Sequence, residues 1–147
     1  MPRRHSVKAL MTCLFMLTAG LTQAVADESQ AETCLRTKVW EGYSDGWAIR
    51  TITTATLEPG ATRNYLVTFY PGKEYQVQGC ADTAAAHIDL VLYDQDGKVI
   101  KRDGKDGREP LLTFSTDKIA TYYVVVHARQ LNAGQSSSGV AVAVTYR

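Results

Sequence analysis

The chain is poor in the residues that most often carry chemistry, with three histidines, three cysteines and two tryptophans among 147 positions. It contains no C-x-x-C pair, so no zinc ribbon can be read from it, and its one G-x-S-x-G match, Gly42-Tyr43-Ser44-Asp45-Gly46, does not follow a strand pattern as an α/β-hydrolase nucleophile turn requires. Ser136-Ser137-Ser138 lies in a low-complexity stretch, poor footing for a nucleophile that must be held within about 0.5 Å of its working geometry. Whether two carboxylates sit at glycosidase spacing is a spatial question beyond sequence. A non-catalytic protein is therefore expected, with a hydrolase as the remaining enzymatic reading. A basic surplus is missing as well: Lys98, Lys101, Arg102, Lys105 and Arg108 are interleaved with aspartates, a solvated mixed-charge face that gives no footing for nucleic acid. Outside the N-terminus there is no apolar run near the roughly 20 residues a membrane-spanning helix requires.

The N-terminus itself reads as an export signal. Arg3, Arg4 and Lys8 form a basic region, Ala9 to Leu21 an apolar run too short to span a bilayer, and Ala24-Val25-Ala26 a small-x-small cleavage site. The paired arginines also fit the twin-arginine route, but Ser6-Val7 stand where Phe-Leu is usual, and ordinary Sec export is the first reading. Residues 1–26 are thus assigned to a signal peptide, the mature chain begins near Asp27, and the expected location is periplasmic or secreted. Cleavage takes three from the 16 basic residues and leaves 13 against 15 acidic, a net charge of −2. It also removes Cys13, leaving Cys34 and Cys80, an even count in an oxidising compartment. Their pairing is expected, with two free thiols or metal ligands as the competing reading.

The mature chain changes period once. Ala31, Leu35, Val39 and Tyr43 recur every four residues, the stripe of a short amphipathic helix, and Gly42 and Gly46 suggest its end. Beyond Gly46 the period is two. Alternating runs at Ile49–Leu57, Tyr65–Phe69, Tyr75–Gly79, Ile88–Leu92, around Val99, Leu112–Phe114, Tyr122–Val126 and Val140–Tyr146 are separated by turn residues such as Glu58-Pro59-Gly60 and Pro71-Gly72. About eight short strands at regular spacing predict an all-β, antiparallel sandwich or barrel. The helical segment occupies 27–46 and the β domain 47–147, with Gln130–Gly139 read as a mobile loop before the last strand.

Ile88-Asp89-Leu90-Val91-Leu92-Tyr93-Asp94-Gln95-Asp96-Gly97 resembles the D-L-x-L-Y-D-x-x-G signature of the bacterial pre-peptidase C-terminal domain family. Pro71-Gly72-Lys73-Glu74-Tyr75 is similar to that family's A-G-x-x-Y turn, and Ala120-Thr121-Tyr122-Tyr123-Val124-Val125-Val126 to its G-T-Y-Y-x-x-V strand, with Ala120 in place of the glycine. The resemblance spans about Leu57 to Tyr146. It implies a jelly-roll-like β-sandwich serving as an accessory module of exported enzymes, and some related modules bind calcium or insoluble polymers. Only an export signal and a helix, and no catalytic domain, are expected ahead of it here.

Asp94-Gln95-Asp96-Gly97 carries the Asp-Gly pair of a tight hairpin, and turn chemistry is its first reading. The second is a calcium site in which Asp89, Asp94, Asp96, Asp103 and Asp106 converge at one end of the sandwich. No other cofactor is expected. His87 and His127 fall on the polar phase of their strands and are expected at the surface. Tyr93 and Tyr123 lie on the phase opposite their apolar strand-mates, and Trp47 adjoins the helix end, so these three rings are the candidates for stacking on a polysaccharide or anchoring an envelope protein. Against this, the N-terminal helix must pack somewhere, and it is expected to cover the outer face and bury several of them.

Overall fold

The computed structural model describes residues 26–147; the expected signal peptide lies outside them but for Ala26. A helix, α1 (Glu28–Glu41), and a single 3₁₀ turn (Tyr43–Asp45) precede eight strands. These are β1 (Ala48–Leu57), β2 (Thr62–Phe69), β3 (Glu74–Ala81), β4 (Ala85–Tyr93), β5 (Val99–Asp103), β6 (Leu111–Ser115), β7 (Ala120–Leu131) and β8 (Ser138–Tyr146). They form two four-stranded antiparallel sheets of order β1-β8-β3-β6 and β2-β7-β4-β5. Successive strands alternate between sheets except for the β4–β5 hairpin within one of them, the order of an eight-stranded jelly roll.

Alternation along each strand makes the core. Val77, Leu112, Val140, Val142 and Val144 of one sheet face Phe69, Ile88, Leu90, Leu92, Val124 and Val126 of the other, all fully or nearly fully buried. Burying each such side chain stabilises the fold by about 1.5–3 kcal/mol before conformational entropy is counted. At one end Phe69 meets Tyr75 edge-on at 4.6 Å between centroids, Phe114 at 5.3 Å and Tyr122 at 5.8 Å. That aromatic knot draws on β2 and β7 from one sheet and β3 and β6 from the other.

The helix closes the outside of the first sheet. Ala31, Leu35 and Val39 form its buried face, packed on Cys80, Ala141 and Ala143. The Asp27 carboxylate caps it through the Gln30 N–H (2.9 Å), and Glu28 reaches β1 by accepting from the Thr54 (2.9 Å) and Thr56 (2.7 Å) hydroxyls. Gly139 is required for the approach: a Cβ there would lie 2.6 Å from the Glu28 nitrogen and nearer still to the Asp27 carbonyl. Cys34 and Cys80 are joined in a disulfide between α1 and β3, which removes the thiolates that the metal-ligand reading needed.

Three expectations are corrected. The loop expected at Gln130–Gly139 narrows to 132–137, because β7 runs to Leu131 and β8 starts at Ser138, which is buried and donates its hydroxyl to Asp82 at 2.8 Å. Trp47 is buried, not exposed, packed against Gly42 beneath the Arg147 guanidinium, which lies 4.6 Å from the ring centroid. His87 is buried as well, because irregularities on both sides of it in the β4–β7 ladder break the alternation from which its exposure was expected.

Candidate functional site

With α1 on the first sheet, the outer face of the β2-β7-β4-β5 sheet carries no helix, and the β5–β6 loop reaches it at its Asp89 end. Cross-strand register lays its side chains out in rows. Leu66 pairs with Tyr123, Tyr123 with Tyr93, and Tyr93 with Val99, so one apolar row crosses all four strands. Leu66 is 63%, Val99 49% and Tyr123 39% exposed, with Tyr93 half-buried. The next row runs Asn64, Val125, Val91, Arg102. The helix therefore leaves the two tyrosines open, contrary to the expectation that it would bury them.

One row further lies a polar cluster that sequence alone did not reveal. Asp89 has no exposed surface. Its Oδ1 is 2.6 Å from His87 Nε2, and its Oδ2 accepts from Arg102 at 3.1 Å and Arg129 at 3.4 Å. Burial pushes the Asp89 carboxyl up, but the hydrogen bonds from Arg102 and His87, and the charges of His87 and Arg129, outweigh it and hold the group below its ordinary value. The imidazole's other nitrogen, Nδ1, is 3.1 Å from the exposed Asp106 carboxylate. Both guanidiniums are about half exposed and keep further N–H donors for solvent or a ligand. The legible signal was His87 two residues from Asp89 on its own strand, with Arg102 and Arg129 on the two flanking strands; the convergence itself depends on register.

A folded-state value below the unfolded one means that Asp89 contributes stability in full above the ordinary carboxylate pKa of about 3.9, and that this is lost as pH falls through the lowered value. Asp89→Asn should lower the unfolding free energy by about 2 kcal/mol at pH 7, discounted for the half-exposed arginines. Urea titrations between pH 2 and 7 should show the gap between wild type and variant closing below about pH 4.

The structure brings Asp89 and Asp106 together through His87, engages Asp94 and Asp103 locally and leaves Asp96 exposed. Asp94 caps its own turn, accepting from the Asp96 (2.9 Å) and Lys98 (2.8 Å) N–H groups, with Gly97 at φ +80°. Asp96 is exposed in that turn. Asp103 accepts from Lys105 N–H at 3.1 Å and Leu111 N–H at 2.8 Å. Among the described residues, no three of the five bring carboxylate oxygens within 4.8 Å of one another.

A second aromatic feature, Trp40 stacked on Tyr43 at 5.5 Å and 6° between planes, lines an apolar pocket of about 610 Å³ with Trp47 and Ile49. No described helix is long and apolar enough to cross a membrane.

No protein-family model matches the sequence, and no curated protein matches it. Among solved structures, the chain is similar to the pre-peptidase C-terminal domain of a collagenase from Bacillus anthracis, with TM-score 0.52 and 15% identity over 65% of this chain and 89% of that one. The two share a fold. The pre-peptidase C-terminal likeness therefore holds at the level of architecture, in agreement with the strand order above. A looser similarity, TM-score 0.45 and 15% identity over 66% of this chain and 87% of the other, is to PliG of Aeromonas hydrophila, a periplasmic inhibitor of g-type lysozyme.

Proposed function

We propose that the chain is an exported, non-catalytic binding module that docks on a saccharide polymer of the envelope or its surroundings through the outer face of the β2-β7-β4-β5 sheet. The observation that carries the reading is the exposed row Leu66, Tyr123, Tyr93, Val99, set on the sheet that the helix leaves bare. Tyrosine offers a ring face for the C–H surface of a sugar and a hydroxyl for its polar edge. Arg102, one row away and tethered to Asp89, can donate to hydroxyl or carboxylate groups of the same chain. The disulfide supports residence in an oxidising compartment, and the collagenase domain supports the architecture of an accessory module.

Retention of the mature protein on insoluble envelope polysaccharide, measured by co-sedimentation, tests the proposal. Tyr93→Ala/Tyr123→Ala should weaken retention by about tenfold or more while leaving the melting temperature close to that of wild type. Loss of retention in Trp40→Ala with the tyrosine variant unaffected would move the docking face to the pocket at the helix end. Leu66 and Val99, aliphatic at both ends of the row, favour a second reading in which the same face grips a protein. Capture of one soluble envelope protein, with no polysaccharide retention, would establish that reading in place of the first.

A further inference from the structure

Asp82, in the turn between β3 and β4, is 2% exposed. Its Oδ1 accepts from the Ala84 N–H (3.0 Å) and the Ser138 hydroxyl (2.8 Å), and its Oδ2 from the Gly139 N–H (2.8 Å) and the Asp27 N–H (2.8 Å). All four donors are neutral. Among the described residues, no lysine, arginine or histidine nitrogen lies within 4.0 Å of this carboxylate. A carboxylate held away from water without an opposite charge is costly, and the fold offers no side chain to supply one. The fourth donor sits at a particular place, since Asp27 directly follows the Ala24-Val25-Ala26 cleavage motif.

We infer that Asp82 is the seat for the α-ammonium that export processing creates at Asp27, an inference that rests on the export reading but on no part of the docking face. A signal peptidase hydrolyses the Ala26–Asp27 peptide bond with water as co-reactant: the hydroxyl goes to the Ala26 carbonyl carbon and a proton to the Asp27 nitrogen. The amine released takes up a second proton at neutral pH, because an α-amino group ordinarily titrates near 7.7–8.0. The N–H···O⁻ contact to Asp82 becomes an N⁺–H···O⁻ ion pair with both partners charged, and the carboxylate itself is buried. Processing thereby supplies the missing cation at the point where the helix meets the sandwich.

The surroundings fit this assignment. Gly139 clears the space in which Asp27 reaches Asp82. The two other nearby carboxylates are already engaged, that of Asp27 by the Gln30 N–H and that of Glu28 by Thr54 and Thr56. Gln30 adds a second tie to the same turn, accepting from the Thr83 N–H at 2.7 Å. The helix start and the β3–β4 turn are therefore one unit.

The test compares thermal melting at pH 7 of the mature protein beginning at Asp27, the same protein Nα-acetylated, and the chain with Ala26 retained, each also as Asp82→Asn. The free Asp27 terminus should melt about 4 °C or more above both blocked forms, and Asp82→Asn should abolish the difference. The folded ammonium, raised above its unfolded value, contributes below about pH 8, so the advantage should fade as pH rises through its titration. Equal melting of free and blocked forms, an equal gap in the Asp82→Asn background, or an exported protein whose first residue is not Asp27 would each overturn the inference. If Asp82→Asn does not fold, acylation of the α-amine decides the matter. Labelling slowed by roughly tenfold or more relative to the urea-unfolded chain supports the pair, and an unchanged rate overturns it.

Discussion

Phe69→Ala lowers the unfolding free energy by about 3–5 kcal/mol, a large part of the roughly 5–15 kcal/mol by which a domain of this size is stable. Phe69 has no exposed surface, and its ring is the centre on which Tyr75, Phe114 and Tyr122 converge from three other strands. Truncation removes the transfer energy of the ring and leaves a void that rigid neighbours on two sheets cannot collapse to fill. It also forfeits edge-to-face contacts worth about 0.5–1.5 kcal/mol each beyond area burial. Phe69→Leu, which retains apolar volume but not the ring edges, should lose less. Urea denaturation followed by tyrosine fluorescence measures both, and an Ala variant within about 1 kcal/mol of wild type would mean that the knot is not a structural hub.

Removing the Cys34–Cys80 bond costs about 4 kcal/mol in the chain-entropy account, for a sequence separation of 46 residues. The effect has a local face as well, since Cys80 is fully buried beside Leu35, Ala141 and Ala143 where α1 lies on the sheet. Without the bond the helix is held by three small or aliphatic side chains, the Glu28 contacts to Thr54 and Thr56, the Asp27 contact to Asp82, the Gln30 contact to Thr83 and the Lys38–Glu109 ion pair. A Cys34→Ala/Cys80→Ala variant should show a lower urea midpoint, and amide exchange should accelerate in Glu28–Glu41 more than in β4 or β7. Uniform acceleration throughout would show that helix and sandwich unfold as one cooperative unit.

The strands were legible because each has one face in a single core, and period two is the direct record of that. The helix was legible from Ala31, Leu35 and Val39 for the same reason at a different period. Which sheet the helix would cover was a harder question, although β8 carries the answer. In Val140-Ala141-Val142-Ala143-Val144 both phases are apolar, valine toward the core and alanine outward, and a strand with a small apolar outer face is one on which something must lie. Trp47 misled because proximity to a turn suggests exposure, whereas Gly42 packs against it from the helix end and Arg147 closes over it from the far end of the chain. His87 misled because ladder irregularities are not written in the hydrophobic pattern. The partners of Asp89 come from β4, β5 and β7, and no local reading of the sequence brings Arg102 and Arg129 onto one oxygen.

Covering one sheet and leaving the other bare makes the molecule one-sided. A sandwich open on both outer faces could bridge two strands of a polymer and gel it; one capped by α1 through Leu35 and the Cys34–Cys80 bond has a single face to offer. Under the proposed docking role each copy is monovalent. Such a protein would coat the chains it meets without cross-linking them, and its effect on a meshwork would be set by how many sites are occupied, not by how many strands are tied together.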